Sequence, residues 1–124
     1  MANNSKDQLS PEAILSIHPS LRVVVLSTVN GDILFTKARQ ELPDMPEESM
    51  RNIMNMRAEY LTEITKRTDH MAGPVKRILT SYQNFDELIL VSGDRFLSIT
   101  LEPDTGQQLV GEIASKAQEM LNSA

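Results

Sequence analysis

Side chains suited to acid–base or metal chemistry are few in this chain. Its 124 residues include two histidines, His18 and His70, and no cysteine. Without a thiol there is no thiolate nucleophile, no disulfide and no Cys-containing zinc site. Neither histidine stands in a HExxH arrangement, and no carboxylate spacing completes a ligand set around either. His18 precedes Pro19 at the expected end of one helix. His70 follows the expected end of another, where the helix dipole favours a cation. Two acidic pairs, Glu47/Glu48 and Glu102/Asp104, have the composition of a glycosidase carboxylate pair. The first is better explained by a helix start and the second by a loop, and no acid–base partner stands beside either. The five glycines, at 31, 73, 93, 106 and 111, are scattered singly, so there is no Walker loop, and no GxSxG elbow occurs. These absences point to a non-enzymatic protein without a metal or cofactor.

The residue types that remain are those of interfaces. Four of the seven methionines, Met45, Met50, Met54 and Met56, cluster within a dozen residues. Methionine fills irregular gaps in cores and also adapts to partner surfaces; here the apolar stripe is wider than one buried face requires, which favours an interface. Arg51, Arg57 and Arg67 lie on the same expected helix, either as interface cations or as a solvated helix face. Tyr60 and Tyr82 are candidate aromatic anchors.

The elements that position these residues follow from pattern. Ser10 can cap a short helix with Pro11 at its first position and Ala13, Ile14 and Ile17 on its apolar side. Val23-Val24-Val25-Leu26 and Ile33-Leu34-Phe35 flank Asn30-Gly31, a hairpin signal in which Asp32 can widen the loop. Gln40 to Met45 is a polar connector. Pro46, with Glu47 and Glu48 behind it, starts a long helix running to Arg67. Its apolar positions are Met50, Ile53, Met54, Leu61 and Ile64, with Met56 and Tyr60 as a second line. Gly73-Pro74 resets the chain. Strands over Val75–Tyr82, Leu88–Val91 and Phe96–Leu101 alternate with tight turns at Gln83-Asn84 and Ser92-Gly93-Asp94, which makes a meander. A final helix, capped by Asp104 or Thr105, carries Leu109, Ile113, Ala117, Met120 and Leu121. Gly111 inside it either permits a close approach to the sheet or is simply tolerated. The resulting order, αββαβββα, predicts an α+β sandwich with residues 10–124 as one domain and 1–9 as a flexible tail.

Charge and hydropathy bound the partners. Twelve Lys and Arg against seventeen Asp and Glu leave a net charge of -5, which argues against a broadly basic nucleic-acid binder. The longest apolar run, Val23 to Leu26, is too short to enter a bilayer, and Met1 to Gln8 lacks the pattern of a signal peptide. A cytoplasmic location without direct membrane insertion is expected, any membrane recruitment coming through a partner.

The hairpin VVVLSTVNGDILFTKA, the long helix from Pro46 and the meander KRILTSYQNFDELILVSGDRFLSITLEPD together resemble the roadblock family, the dynein-light-chain type of small domain. The resemblance runs from about Pro11 to Met120. It implies a five-stranded antiparallel sheet, with the long helix on one face and the terminal helices on the other. It also implies dimerisation by pairing of the third strand with its copy and side-by-side packing of the long helices. On this chain the implied interface falls on Met50, Ile53, Met54, Arg57, Tyr60, Leu61 and Ile64 of the helix, and on Lys76, Ile78, Leu79 and Thr80 of the strand. The implied function is that of a non-catalytic scaffold or regulator of a small Ras-like GTPase, or an adaptor in a GTPase-containing complex, working as a homodimer or paralogous heterodimer. The longin domain, related in shape, leaves a second expectation: a heteromeric trafficking-complex subunit.

Overall fold

A computed structural model describes residues 9–39 and 46–123. The connector expected at Gln40 to Met45 and most of the expected tail lie outside the described residues. The elements are α1 (Pro11–Leu15), β1 (Leu21–Thr28), β2 (Ile33–Ala38), α2 (Glu47–Ala72), β3 (Arg77–Ser81), β4 (Asp86–Ser92), β5 (Arg95–Leu101) and α3 (Gln107–Ser123). Their order is the one the pattern predicts. All strand pairs are antiparallel, in the spatial order β2-β1-β5-β4-β3.

Parity along the strands divides two cores. Val24, Leu26, Leu88, Leu90, Leu97 and Ile99 point to one face, where Ile14 and Leu15 of α1 and Val110, Ile113, Ala117 and Leu121 of α3 cover them. Val25, Ile89 and Phe96 point to the other and meet Met54, Ala58 and Leu61 of α2. The implied placement of the helices is therefore the observed one. Among the described residues the cores are unequal: fifteen buried residues on the α1/α3 face against six on the α2 face. At about 1.5–3 kcal/mol for each large side chain buried, the α1/α3 face carries most of the hydrophobic stabilisation.

Local chemistry sets the element ends. The Ser10 hydroxyl accepts from the Ala13 N–H at 3.1 Å, as a capping serine should, but α1 closes after five residues, before Ile17. Arg39, just past β2, makes up for that brevity. Its guanidinium donates to the Leu15 carbonyl at 3.0 Å, to the His18 carbonyl at 2.7 Å and to the Leu21 carbonyl. These bonds satisfy acceptors that a short helix and its exit leave open. Lys37 adds a surface tie to Glu12 at 3.0 Å and, by hydrogen bonding it, holds that carboxyl below the usual carboxylate range.

Several boundaries differ from expectation. Pro46 stands at the cap position of α2, one residue earlier than the first helical turn, and Asp44 and Met45 lie outside the described residues. The helix runs on past Arg67 to Ala72 because nothing before Gly73 interrupts it, so His70 lies within its last turn rather than after it. β3 is shorter than Val75–Tyr82 at both ends. At the start of α3 the Val110 N–H bonds the Gly106 carbonyl, while the Thr105 hydroxyl turns back to the Glu102 carbonyl. Gly106 thus begins the helix where Asp104 or Thr105 was expected. A Cβ at Gly111 would meet nothing within 4 Å, which leaves tolerance, not a close approach, as its explanation.

Candidate self-association surface

The site is built on α2 and β3. Of the 26 residues of α2, only Met54, Ala58 and Leu61 are buried. Two contacts fix which way its flanks point. On one flank Asn55 closes on Gly31, in the loop between β1 and β2. On the other, Arg57 reaches Glu87 of β4 and Tyr82 just beyond β3. With 100° per residue, Ile53, Tyr60 and Ile64 share the Arg57 side and Met56 lies at its outer margin. The flank toward β3 is therefore apolar: Ile53 and Ile64 are half-buried, and Tyr60 and Met56 are 53% and 62% exposed.

Among the described residues β3 is an edge strand, hydrogen-bonded to β4 alone. The Lys76 carbonyl accepts from the Val91 N–H and the Tyr82 N–H donates to the Phe85 carbonyl. By antiparallel alternation, Ile78 and Thr80 also direct their backbone groups inward, and Arg77, Leu79 and Ser81 direct theirs to the open edge. Ile78 packs beneath α2, so Leu79 points to the opposite face, where it is 45% exposed. An open edge of this kind is a template for another strand.

A polar cluster lies under the same flank. The Arg57 Nε donates to both Glu87 oxygens, at 2.9 and 3.0 Å, and its Nη2 stands 2.8 Å from Oε1. The Ser98 hydroxyl of β5 donates to Glu87 Oε2 at 2.8 Å, and Arg57 Nη2 approaches the Tyr82 hydroxyl at 3.4 Å. Glu87 is 4% exposed. Burial acts to lower the Arg57 pKa, but the hydrogen bonds and charge of Glu87, with Tyr82, outweigh it and hold it above the ordinary arginine value.

The expected interface residues thus separate into groups. Met54 and Leu61 are core, 2% and 4% exposed. Met50, Ile53 and Ile64 are half-covered, Arg57 is committed to Glu87, and Tyr60 is open. On β3 Leu79 is exposed and Ile78 and Thr80 are half-buried, and Lys76 just before it is exposed. Met56, from the second line of the stripe, belongs to the open surface by position. Glu87 and Ser98 were not singled out. Ser98 carries one signal, a polar residue on the inward parity of the apolar run Phe96–Leu101, whereas Glu87 precedes the strand expected from Leu88 and carries none. Of the residues suited to acid–base chemistry, His18, Glu47 and Glu102 are held elsewhere. The His18 Nδ1 accepts from the Ser20 N–H at 3.0 Å. Glu47 pairs with Arg51 at 3.2 Å and Glu102 with Arg22 at 3.3 Å. Among the described residues no group of three or more His, Asp or Glu is placed to hold a metal ion, and no helix is long and apolar enough to cross a membrane.

No family model matches the chain, and no curated protein matches it. Solved structures do. A roadblock/LC7 domain from Streptomyces avermitilis aligns with a TM-score of 0.71 at 9% identity, covering 94% of this chain and 93% of its own. Myxococcus xanthus MglB aligns with a TM-score of 0.76 at 13% identity, over 96% and 94% of the two chains. A structure described as MglB with a tetrameric arrangement aligns with a TM-score of 0.66 at 13% identity, over 91% and 85%. At such identities the likeness establishes the fold: this chain has the roadblock/LC7 fold.

Proposed function

We propose that the protein is a non-catalytic scaffold that self-associates through β3 and the adjoining flank of α2, and that the assembled surface binds a small Ras-like GTPase or a GTPase-containing complex. The observation that carries the first half is the pairing of an open strand edge with an apolar helix flank on which, among the described residues, Met56 and Tyr60 are exposed and Ile53 and Ile64 half-buried. The assembly of a similar fold into a tetrameric arrangement supports it. The GTPase half rests on the family resemblance in the sequence and on the shared fold.

Edge chemistry fits a second copy of the same chain. With the open backbone positions at 77, 79 and 81, a two-fold axis at Leu79 sets Leu79 against its copy and Arg77 against Ser81. No like charges then stand directly opposite, so the cationic residues Lys76 and Arg77 need not block the edge.

Light scattering on a sizing column tests the assembly. The expected species has twice the 13.9 kDa chain mass. Leu79→Glu and Tyr60→Glu are expected to return it to a folded monomer, since each places a carboxylate at an apolar centre without touching the core. Persistent 13.9 kDa at high concentration overturns self-association and moves the weight to a heteromeric, longin-like subunit. Binding assays with candidate GTPases in both nucleotide states then test the second half; indifference in both states overturns it.

A further inference from the structure

We propose that the Arg57–Glu87–Ser98 cluster is a registry device that fixes the height of α2 along the sheet and thereby aligns its apolar flank with the open edge of β3. This inference rests on the self-association reading above.

The argument begins with how little else holds α2. Its fully buried residues are Met54, Ala58 and Leu61, with Met50 and Ile53 half-buried beside them, a smooth and partly adaptable set of side chains on a 26-residue helix. Apolar contacts of this kind are non-directional, so sliding α2 by part of a turn sacrifices little burial. Directional contact comes from two places only among the described residues. On one flank, the Asn55 side chain meets Gly31. On the other, the Arg57 fork grips both oxygens of Glu87. Glu87 is itself fixed from behind by Ser98, so the anchor belongs to β4 and β5 rather than to a mobile side chain.

An ion pair is a costly filler for that space. Replacing a buried pair with apolar residues of similar volume is often neutral or stabilising, so its use is better explained by geometry than by stability. The geometry is informative: Arg57 lies between the buried stripe and the exposed flank, and its second contact is Tyr82, the residue that ends the β3 edge. One guanidinium therefore ties the helix, the centre of the sheet and the end of the edge strand together. Self-pairing needs the β3 edge and the α2 flank to meet the partner simultaneously, which a sliding helix would not allow.

The test uses the double variant Arg57→Met/Glu87→Leu in the full chain. The absence of cysteine allows spin labels at Lys66→Cys on α2 and Asp94→Cys in the β4–β5 turn, diluted with unlabelled chain. The expected result is a folded protein whose unfolding midpoint, compared at dilutions where both proteins are monomeric, is no lower than the parent's. Its label separation changes from one narrow distribution to a broad or shifted one, and its dimer is at least about tenfold weaker. An unchanged distribution overturns the registry role whether or not the protein dimerises. A changed distribution with unchanged dimer affinity overturns the link to self-association. If the double variant fails to fold, the pair serves the fold itself and the proposal fails. A monomeric parent overturns the self-association reading alone, and the label distribution still decides the registry.

Discussion

Gly31 has φ +95°, and a Cβ there would lie 2.0 Å from Asn55 Oδ1. Both the backbone and the close approach require glycine. Gly31→Ala is expected to destabilise the protein by about 1–3 kcal/mol in urea denaturation. Adding Asn55→Ala should recover only part of that, because it removes the clash and leaves the strained backbone. At Gly111 the sign reverses: the site is helical with open space around it, so Gly111→Ala should stabilise by about 0.4–1 kcal/mol. The sequence marks these two residues unequally. Asn30-Gly31 between apolar runs announces a turn, but nothing in it announces Asn55, which stands 24 positions later and belongs to the opposite layer. The same blindness hides the Arg57–Glu87 pair. Periodicity places Arg57 on the long helix and Glu87 just before a strand, and only the fold shows that they meet.

The existence and order of the elements are legible because each carries its own signal: a Ser-Pro start, an Asn-Gly turn, a long helical stripe, three apolar runs and a capped final helix. Their ends are less so. Whether α2 stops at Arg67 or Ala72 is decided by Gly73, and β3 spans Arg77–Ser81 although Lys76 and Tyr82 still hydrogen-bond across to Val91 and Phe85. The width of the α2 stripe signals an interface, yet width alone cannot say that Met54 and Leu61 face the sheet while Met56 and Tyr60 face outward. That sorting needs the direction of approach of the sheet. α1 illustrates an element that cannot stand by itself, since five residues are far below the length at which a helix is stable in isolation. Its support is Arg39 from the end of β2. Arg39→Ala is expected to cost about 2 kcal/mol, with three carbonyls losing a charged donor, and to raise amide exchange in α1 and Leu21 well above that of α3. Equal protection in both helices would show that apolar packing of Ile14 and Leu15 suffices.

At the scale of the whole molecule the two faces divide their tasks. The α1/α3 face is thickly packed, and the α2 face is thinly packed and open at its flank toward β3. Stability and association are therefore expected to respond to different substitutions. Ile113→Ala should lower the unfolding midpoint without altering dimer affinity per folded chain, while Leu79→Glu should do the reverse. The strand order also bears on how the chain reaches this shape. The helix α2 joins the two outermost strands, β2 and β3, so the central pair, β1 and β5, is made from opposite ends of the domain. Residues 21–28 meet residues 95–101, a closure across about seventy residues, whereas both flanking hairpins close across a few. The hairpins can form early at little entropic cost, and the sheet becomes continuous only when its middle closes. Refolding should accordingly be slow for a chain of this length, in the range of milliseconds to seconds. In stopped-flow experiments Ile99→Val, at the central seam, is expected to slow refolding, and Ile78→Val, at the edge, mainly to speed unfolding. Until that seam closes, each half of the sheet exposes one additional unpaired edge, and during synthesis β1 must wait for nearly the whole domain to emerge before its final neighbour arrives.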